Sequence, residues 1–147
     1  MADSFRFFHP IRVRFAETDL QRHVFFGNYF TYFDVAAIEY MRAVGYDYQT
    51  MIGEGYDLVY ASTRCDYVGR AFFDETLNVH ARIGRVGNSS LRFDFDIREV
   101  KTGRAVARGE IVAVMVGADA MRPVRVPDSF RRAIAAFEKS GKRRDRP

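Results

Sequence analysis

The stretch ETDLQRHVFFGNY, residues 17–29, crowds two carboxylates, an arginine and a histidine against two phenylalanines, a glycine and the start of a long apolar segment. Asp19 lies eight residues before Gly27, where that segment begins. A loop of this length can fold the carboxylate back toward a helix start. Such a start offers unpaired backbone N–H groups and a partial positive charge, a combination suited to an oxygen that becomes negative during acyl transfer. A carboxylate beside those donors acts as a general base on water or attacks a carbonyl directly. Phe25 and Phe26 would exclude water, and Gly27 lets a substrate approach the backbone closely. The same residues also fit a plainer reading, in which Asp19 or Thr18 caps the loop and the aromatics are core. Physical grounds alone leave both open.

Other chemistry-bearing residues are less suggestive. His9, His23 and His80 are widely separated and form no metal-ligand spacing such as H-E-x-x-H, so no metal is expected. Cys65 stands in an alternating stretch with no helix terminus or base beside it, which points to packing rather than nucleophilic attack. GRVGNSS, residues 84–90, lacks the Lys-Ser/Thr ending of a phosphate loop and reads as a hairpin turn.

The elements that must position Asp19 follow from periodicity. Residues 27–44, GNYFTYFDVAAIEYMRAV, are apolar around most of a helical circumference, with Gly45 as C-terminal cap, and so predict a long buried helix. After a Gly-rich link, residues 58–68, 76–86, 90–100 and 104–116 read as strands separated by turn signals. In SLRFDFDIREV, Leu91, Phe93, Phe95 and Ile97 alternate with Arg92, Asp94, Asp96 and Arg98, the period of two of a sheet with one wet face. Ala105, Ala107, Gly109 and Ala113 share a face whose small side chains would let a helix lie close. HPIRVRFAE, residues 9–17, supplies a first strand, and residues from Pro127 with Asp128 near the start form a short closing helix. The order is α+β: an antiparallel sheet of about five strands curled around one helix. A curled sheet with a free edge strand tends to find a partner edge, so a homo-oligomer is expected.

Composition narrows the class. At 147 residues the chain is one domain's worth, and no apolar run approaches the roughly 18 residues of a membrane span. The N-terminus lacks the pattern of a secretory signal, and a lone cysteine can form no internal disulfide, so a cytoplasmic location is expected. The pI near 9.4 does not imply nucleic acid. Residues 139–147 carry five basic residues and one acidic residue, a net +4 that equals the charge of the whole chain. The domain is therefore drawn at residues 1–139, with 140–147 a basic, disordered tail.

VRFAETDLQRHVFFGNYFTYFDVA resembles the signature of hotdog-fold acyl-CoA thioesterases of the 4-hydroxybenzoyl-CoA thioesterase type, in which a Tyr follows the Asp by ten residues, here Tyr29 after Asp19. The similarity extends through DYVGRAFFDETLNVHARIGRVGNSSLRFDFDIRE and spans about residues 9–130. The resemblance implies a hotdog fold, a dimer-of-dimers homotetramer and hydrolysis of an acyl-CoA thioester, with CoA as part of the substrate and no separate cofactor. It implies Asp19 as nucleophile or general base, and the backbone N–H groups near Phe26 and Gly27 as the carbonyl-polarising donors. His23 and Tyr29 would complete the substrate site, while Arg85 and Ser90 would contact CoA. Three positions depart from the pattern. Arg22 stands where a Gly usually follows the Asp, and would narrow the pocket or bind an acidic part of the substrate. His23 belongs to related hotdog thioesterases with a His-Val pair, where it would tune Asp19, shuttle a proton or make only a structural hydrogen bond. Arg70 replaces a Pro. Two rival readings on the same fold are an enoyl-thioester hydratase and a non-catalytic module binding acyl-CoA or acyl carrier protein.

Overall fold

Strict alternation builds the inner face of a sheet. In the computed structural model, which describes residues 4–139, β1 (Phe7–Arg12), β2 (Tyr56–Tyr67), β3 (Thr76–Val86), β4 (Ser90–Glu99) and β5 (Ala105–Gly117) form one antiparallel sheet in the order β1-β3-β4-β5-β2. Leu91, Phe93, Phe95 and Ile97 of β4 are buried, as the period of two requires. The register sets Ala81, Phe95, Gly109 and Cys65 in one row across four strands. Small residues thus flank Phe95.

That row receives the long helix α1 (Asn28–Val44). Phe33 stacks flat on Phe95 with ring centroids 4.5 Å apart. The edge of its ring covers Gly109, where an added Cβ would come within 2.5 Å of it. The face of small residues expected on β5 is therefore what admits the helix. Tyr32, Ala36, Ala37, Tyr40 and Met41 bury the same side of α1, while Thr31, Asp34 and Arg42 stay wet. Gly45 ends the helix with φ 93, the left-handed cap expected there. A sheet curled on one buried helix is the hotdog arrangement.

Two local expectations need correction. The first strand occupies Phe7–Arg12 rather than residues 9–17, because the Glu17 carboxylate closes a 3-10 turn at Phe15–Glu17. Pro10 is tolerated because β1 is an edge strand and needs hydrogen bonds on one side only. The link after α1 contains a short helix, α2 (Tyr48–Gly53), started by Asp47, whose carboxylate accepts the Thr50 N–H at 2.8 Å. At the other end, α3 (Asp128–Lys139) closes the open side of the core: Phe130 stacks on Tyr46, Phe137 meets Tyr40 edge-on, and the Tyr40 hydroxyl donates to Glu138. The expected basic tail, residues 140–147, lies outside the described residues.

On the outer face charges alternate in cross-strand rows. Asp94 takes hydrogen bonds from Arg82 at 3.0 Å and Arg92 at 2.8 Å, and the buried Asp96 takes one from Arg98 at 3.1 Å. β2, the other edge, leaves Val59, Tyr60 and Tyr67 exposed along an unpaired side.

Replacing Gly109 by Ala should destabilise the protein by about 1–3 kcal/mol. The new methyl would meet both the Phe33 ring and the Arg64 carbonyl oxygen, the latter at 2.3 Å. Denaturant unfolding of the variant against wild type measures the loss.

Candidate active site

Glu17 builds the site from below. Its carboxylate accepts the Arg14 N–H at 2.9 Å, the Arg14 guanidinium at 2.6 and 2.9 Å, and the Tyr32 hydroxyl at 2.9 Å. Burial pushes its carboxyl up, but the hydrogen bonds from Arg14 and Tyr32 outweigh that and hold it below the usual carboxylate range. Burial and the facing carboxylate push the Tyr32 hydroxyl up in turn. The Glu17 carbonyl also accepts from the Phe25 N–H and the Asn28 side-chain amide, each at 2.9 Å. One residue thereby fastens the loop to the start of α1.

Between these anchors the chain makes a tight hairpin. Thr18 pairs with Val24, Asp19 N–H donates to the His23 carbonyl at 3.1 Å, and Arg22 N–H to the Asp19 carbonyl at 2.9 Å. A turn of this kind closes with one residue in the left-handed region, and that residue is Arg22, with φ 69. Glycine adopts this conformation freely, whereas a residue bearing Cβ loses roughly 1–2 kcal/mol there. This is the physical reason for a Gly three residues after the Asp in the family that the sequence resembles.

Asp19 is half-buried at the head of the turn. Its Oδ1 accepts the Gln21 N–H at 2.8 Å, while Oδ2 takes no hydrogen bond among the described residues. The backbone thus orients the carboxylate through one oxygen and leaves the other without a partner among the described residues. It lines a wide-open surface cleft of about 740 Å³ together with Phe15, Thr18, Leu20 and Arg22, of which Phe15, Leu20 and Arg22 are exposed. Phe15 is braced edge-on by Phe73, with ring centroids 5.7 Å apart.

The helix start supplies the donors. Gly27 caps α1 without a side-chain hydrogen bond, and the Asn28 N–H is satisfied by the Phe25 carbonyl at 2.9 Å. The N–H groups of Phe26 and Gly27 take no hydrogen bond among the described residues. The Tyr67 hydroxyl donates to the Phe26 carbonyl at 3.0 Å, tying the end of β2 to this corner.

The remaining expected site residues are dispersed. Phe26, Gly27, His23 and Tyr29 are absent from the lining of the Asp19 cleft. Tyr29 is 2% exposed, packed edge-on against Tyr32 and Tyr67, and burial pushes its hydroxyl up to about 12. His23 places Nδ1 3.1 Å from the Val24 carbonyl oxygen and joins Asp19 only through backbone. Arg85 and Ser90 flank the β3–β4 turn, whereas His23 and Val24 pair with Phe72 and Ala71 just before β3. At about 3.3 Å per residue, the nine residues from Thr76 to Arg85 put that turn roughly 30 Å along the strand from the cleft. A single chain does not bring them to Asp19. The anchoring by Glu17 and Tyr32 escaped the sequence reading, as did the cleft walls Phe15 and Leu20. The i,i+3 pair Arg14 and Glu17 was the available signal.

Glu17→Gln should cost about 1–3 kcal/mol near neutral pH, since the amide loses the charge that Arg14 and Tyr32 address. A depressed folded-state pKa contributes stability above the unfolded carboxyl value, which is lost as pH falls through the folded value. The gap between wild type and variant should therefore close in acid, which urea unfolding from pH 7 down to pH 3 would record.

A family model described as thioesterase-like superfamily matches residues 13–134. The chain is 25% identical over 129 residues to the acyl-CoA thioesterase YbgC of Haemophilus influenzae, covering 87% of this chain and 93% of that one. Among solved structures, the PA5185 protein of Pseudomonas aeruginosa is similar with a TM-score of 0.82 at 30% identity, covering 96% of this chain and 97% of the other. The DHNA-CoA thioesterase of Staphylococcus aureus shares the fold with a TM-score of 0.81 at 23% identity, over 92% and 94% of the two chains.

Proposed function

The chain belongs to the thioesterase-like superfamily, and from that premise we propose that it hydrolyses acyl-CoA thioesters with Asp19 as the reacting carboxylate. The observation that carries this reading is the Asp19 carboxylate itself, held by Gln21 through one oxygen and open at the other, at a surface cleft beside the exposed Phe15 and Leu20. An apolar acyl group would cover those exposed side chains. Asp19 either takes a proton from the attacking water or attacks the thioester carbonyl to form an anhydride that water then cleaves. In both routes the carbonyl oxygen becomes negative, and the Phe26 and Gly27 N–H groups would serve as its donors, a role that requires the bound thioester to reach from the Asp19 cleft to the start of α1. Collapse of the tetrahedral species expels CoA as thiolate; it leaves the free acid when water was the nucleophile, and the Asp19 anhydride when the carboxylate was, which water then cleaves to the acid and free Asp19.

A second copy completes this reading. β2 offers a long unpaired edge with exposed Val59, Tyr60 and Tyr67, and pairing two such edges antiparallel about a two-fold axis covers them. The same axis reverses the strand direction. It turns the distant β3–β4 end of one copy, with Arg85 and Ser90, toward the Asp19 end of the other. A CoA contact by those two residues requires that arrangement.

Thiol release measured across short, long, branched and aromatic acyl-CoAs tests the activity and ranks the acyl groups. In Asp19→Asn, turnover on the best substrate should fall by about 10²–10⁴ with the unfolding midpoint unchanged. Wild-type kcat in that variant would overturn the role of Asp19, and tight thioester binding without thiol release would favour a non-catalytic module.

A further inference from the structure

We infer that Arg22 is a specificity-determining residue that reads an anionic group on the thioester ligand. The inference deepens the reading of the Asp19 cleft as a thioester site and rests on it. Arg22 lines the same cleft as Asp19, three residues away across one tight turn. The Arg22 N–H to Asp19 carbonyl hydrogen bond, at 2.9 Å, fixes their relative placement.

Three observations, taken together, single out this exposed side chain. First, most arginines of the sheet and its loops are committed to carboxylates: Arg12 to Asp74, Arg14 to Glu17, Arg82 and Arg92 to Asp94, Arg98 to Asp96 and Arg104 to Glu75. No hydrogen bond or ion pair reaches the exposed Arg22 guanidinium among the described residues, which is true of Arg70, Arg85 and Arg122 as well, but of these Arg22 alone lines the Asp19 cleft. Second, the other lining residues are Phe15, Leu20 and Thr18, so among the described residues of the lining the charges are the Asp19 carboxylate and this guanidinium. Third, the position is one where the backbone favours glycine, with φ 69, and the chain carries a long cationic side chain there all the same. A residue held against local backbone preference at the rim of a cleft is a candidate for contact with what enters it.

The planar guanidinium presents paired N–H donors that match carboxylate and phosphate oxygens. Two parts of an acyl-CoA carry such oxygens: a second carboxylate on the acyl group, and the phosphates of the CoA moiety. The recognition chemistry is the same, and the carrier distinguishes them.

The test uses four non-hydrolysable thioethers, S-alkyl and S-(ω-carboxyalkyl), each on CoA and on pantetheine, which lacks the phosphates. Their dissociation constants are measured by calorimetry on the full-length wild type, Arg22→Gln and Arg22→Gly. The glycine variant relieves the left-handed strain and so secures a folded comparison; the glutamine variant removes charge at similar length. Loss of one charge-assisted contact should weaken binding about tenfold for ligands bearing the recognised anion. A loss confined to the ω-carboxyalkyl pair on both carriers identifies an acyl carboxylate, and a loss confined to both CoA ligands identifies the phosphates. Added salt should shrink the same difference. Equal affinities of wild type and both variants for all four ligands, or an equal loss that includes neutral alkyl-pantetheine, would overturn the inference. Because binding is read without turnover, this result stands apart from the thiol-release assay, whose failure would strike the hydrolytic reading instead.

Discussion

The geometry of the candidate site depends on one buried carboxylate. Glu17 is removed from water and compensated on every side by Arg14 and Tyr32, while its carbonyl holds Phe25 and Asn28. A buried acid left unpaired would be strongly unfavourable, so these hydrogen bonds tie the loop, the 3-10 turn and the start of α1 to one another. Asp19, two residues on, inherits its position from that knot. The division of labour is chemical as well as spatial. The acid saturated with donors serves architecture, and the acid with one unoccupied oxygen faces the cleft.

The fold was legible because its determinants are periodic. Alternation in β4 and the small residues of β5 announce a sheet face that a helix can approach, and the close contact of Phe33 with Gly109 realises it. The Gly45 cap likewise follows from local preference alone. What escaped was short or long-range. α2 spans barely more than one turn and is announced by little more than the Asp47 cap. The 3-10 turn replaced the end of an expected strand because a single side chain, Glu17, outcompeted the ladder for backbone donors.

The site was legible in part for the same reason. Spacing from Asp19 to Gly27 identifies the corner, yet spacing says nothing of which neighbours face it. Tyr29 is helical and turns to the core, and His23 spends its ring on Val24. Arg85 and Ser90 rested on resemblance, and their separation from Asp19 along β3 is a property of strand length that a local motif does not encode. Arg22 is the opposite case. The departure from glycine was visible in the sequence, but only the left-handed backbone at that residue shows why the departure matters.

The placement of Cys65 has a practical corollary. It is the chain's only sulfhydryl, half-covered on β2, and burial pushes its thiol up to about 11. At neutral pH the thiol is held in its protonated form, and the ionised form is the reactive one. A chromogenic disulfide reagent added to the folded protein therefore meets almost no competing nucleophile from the polypeptide. Colour that develops with a thioester substrate would then belong to the released thiol, so the proposed hydrolysis could be followed continuously without a blocking step.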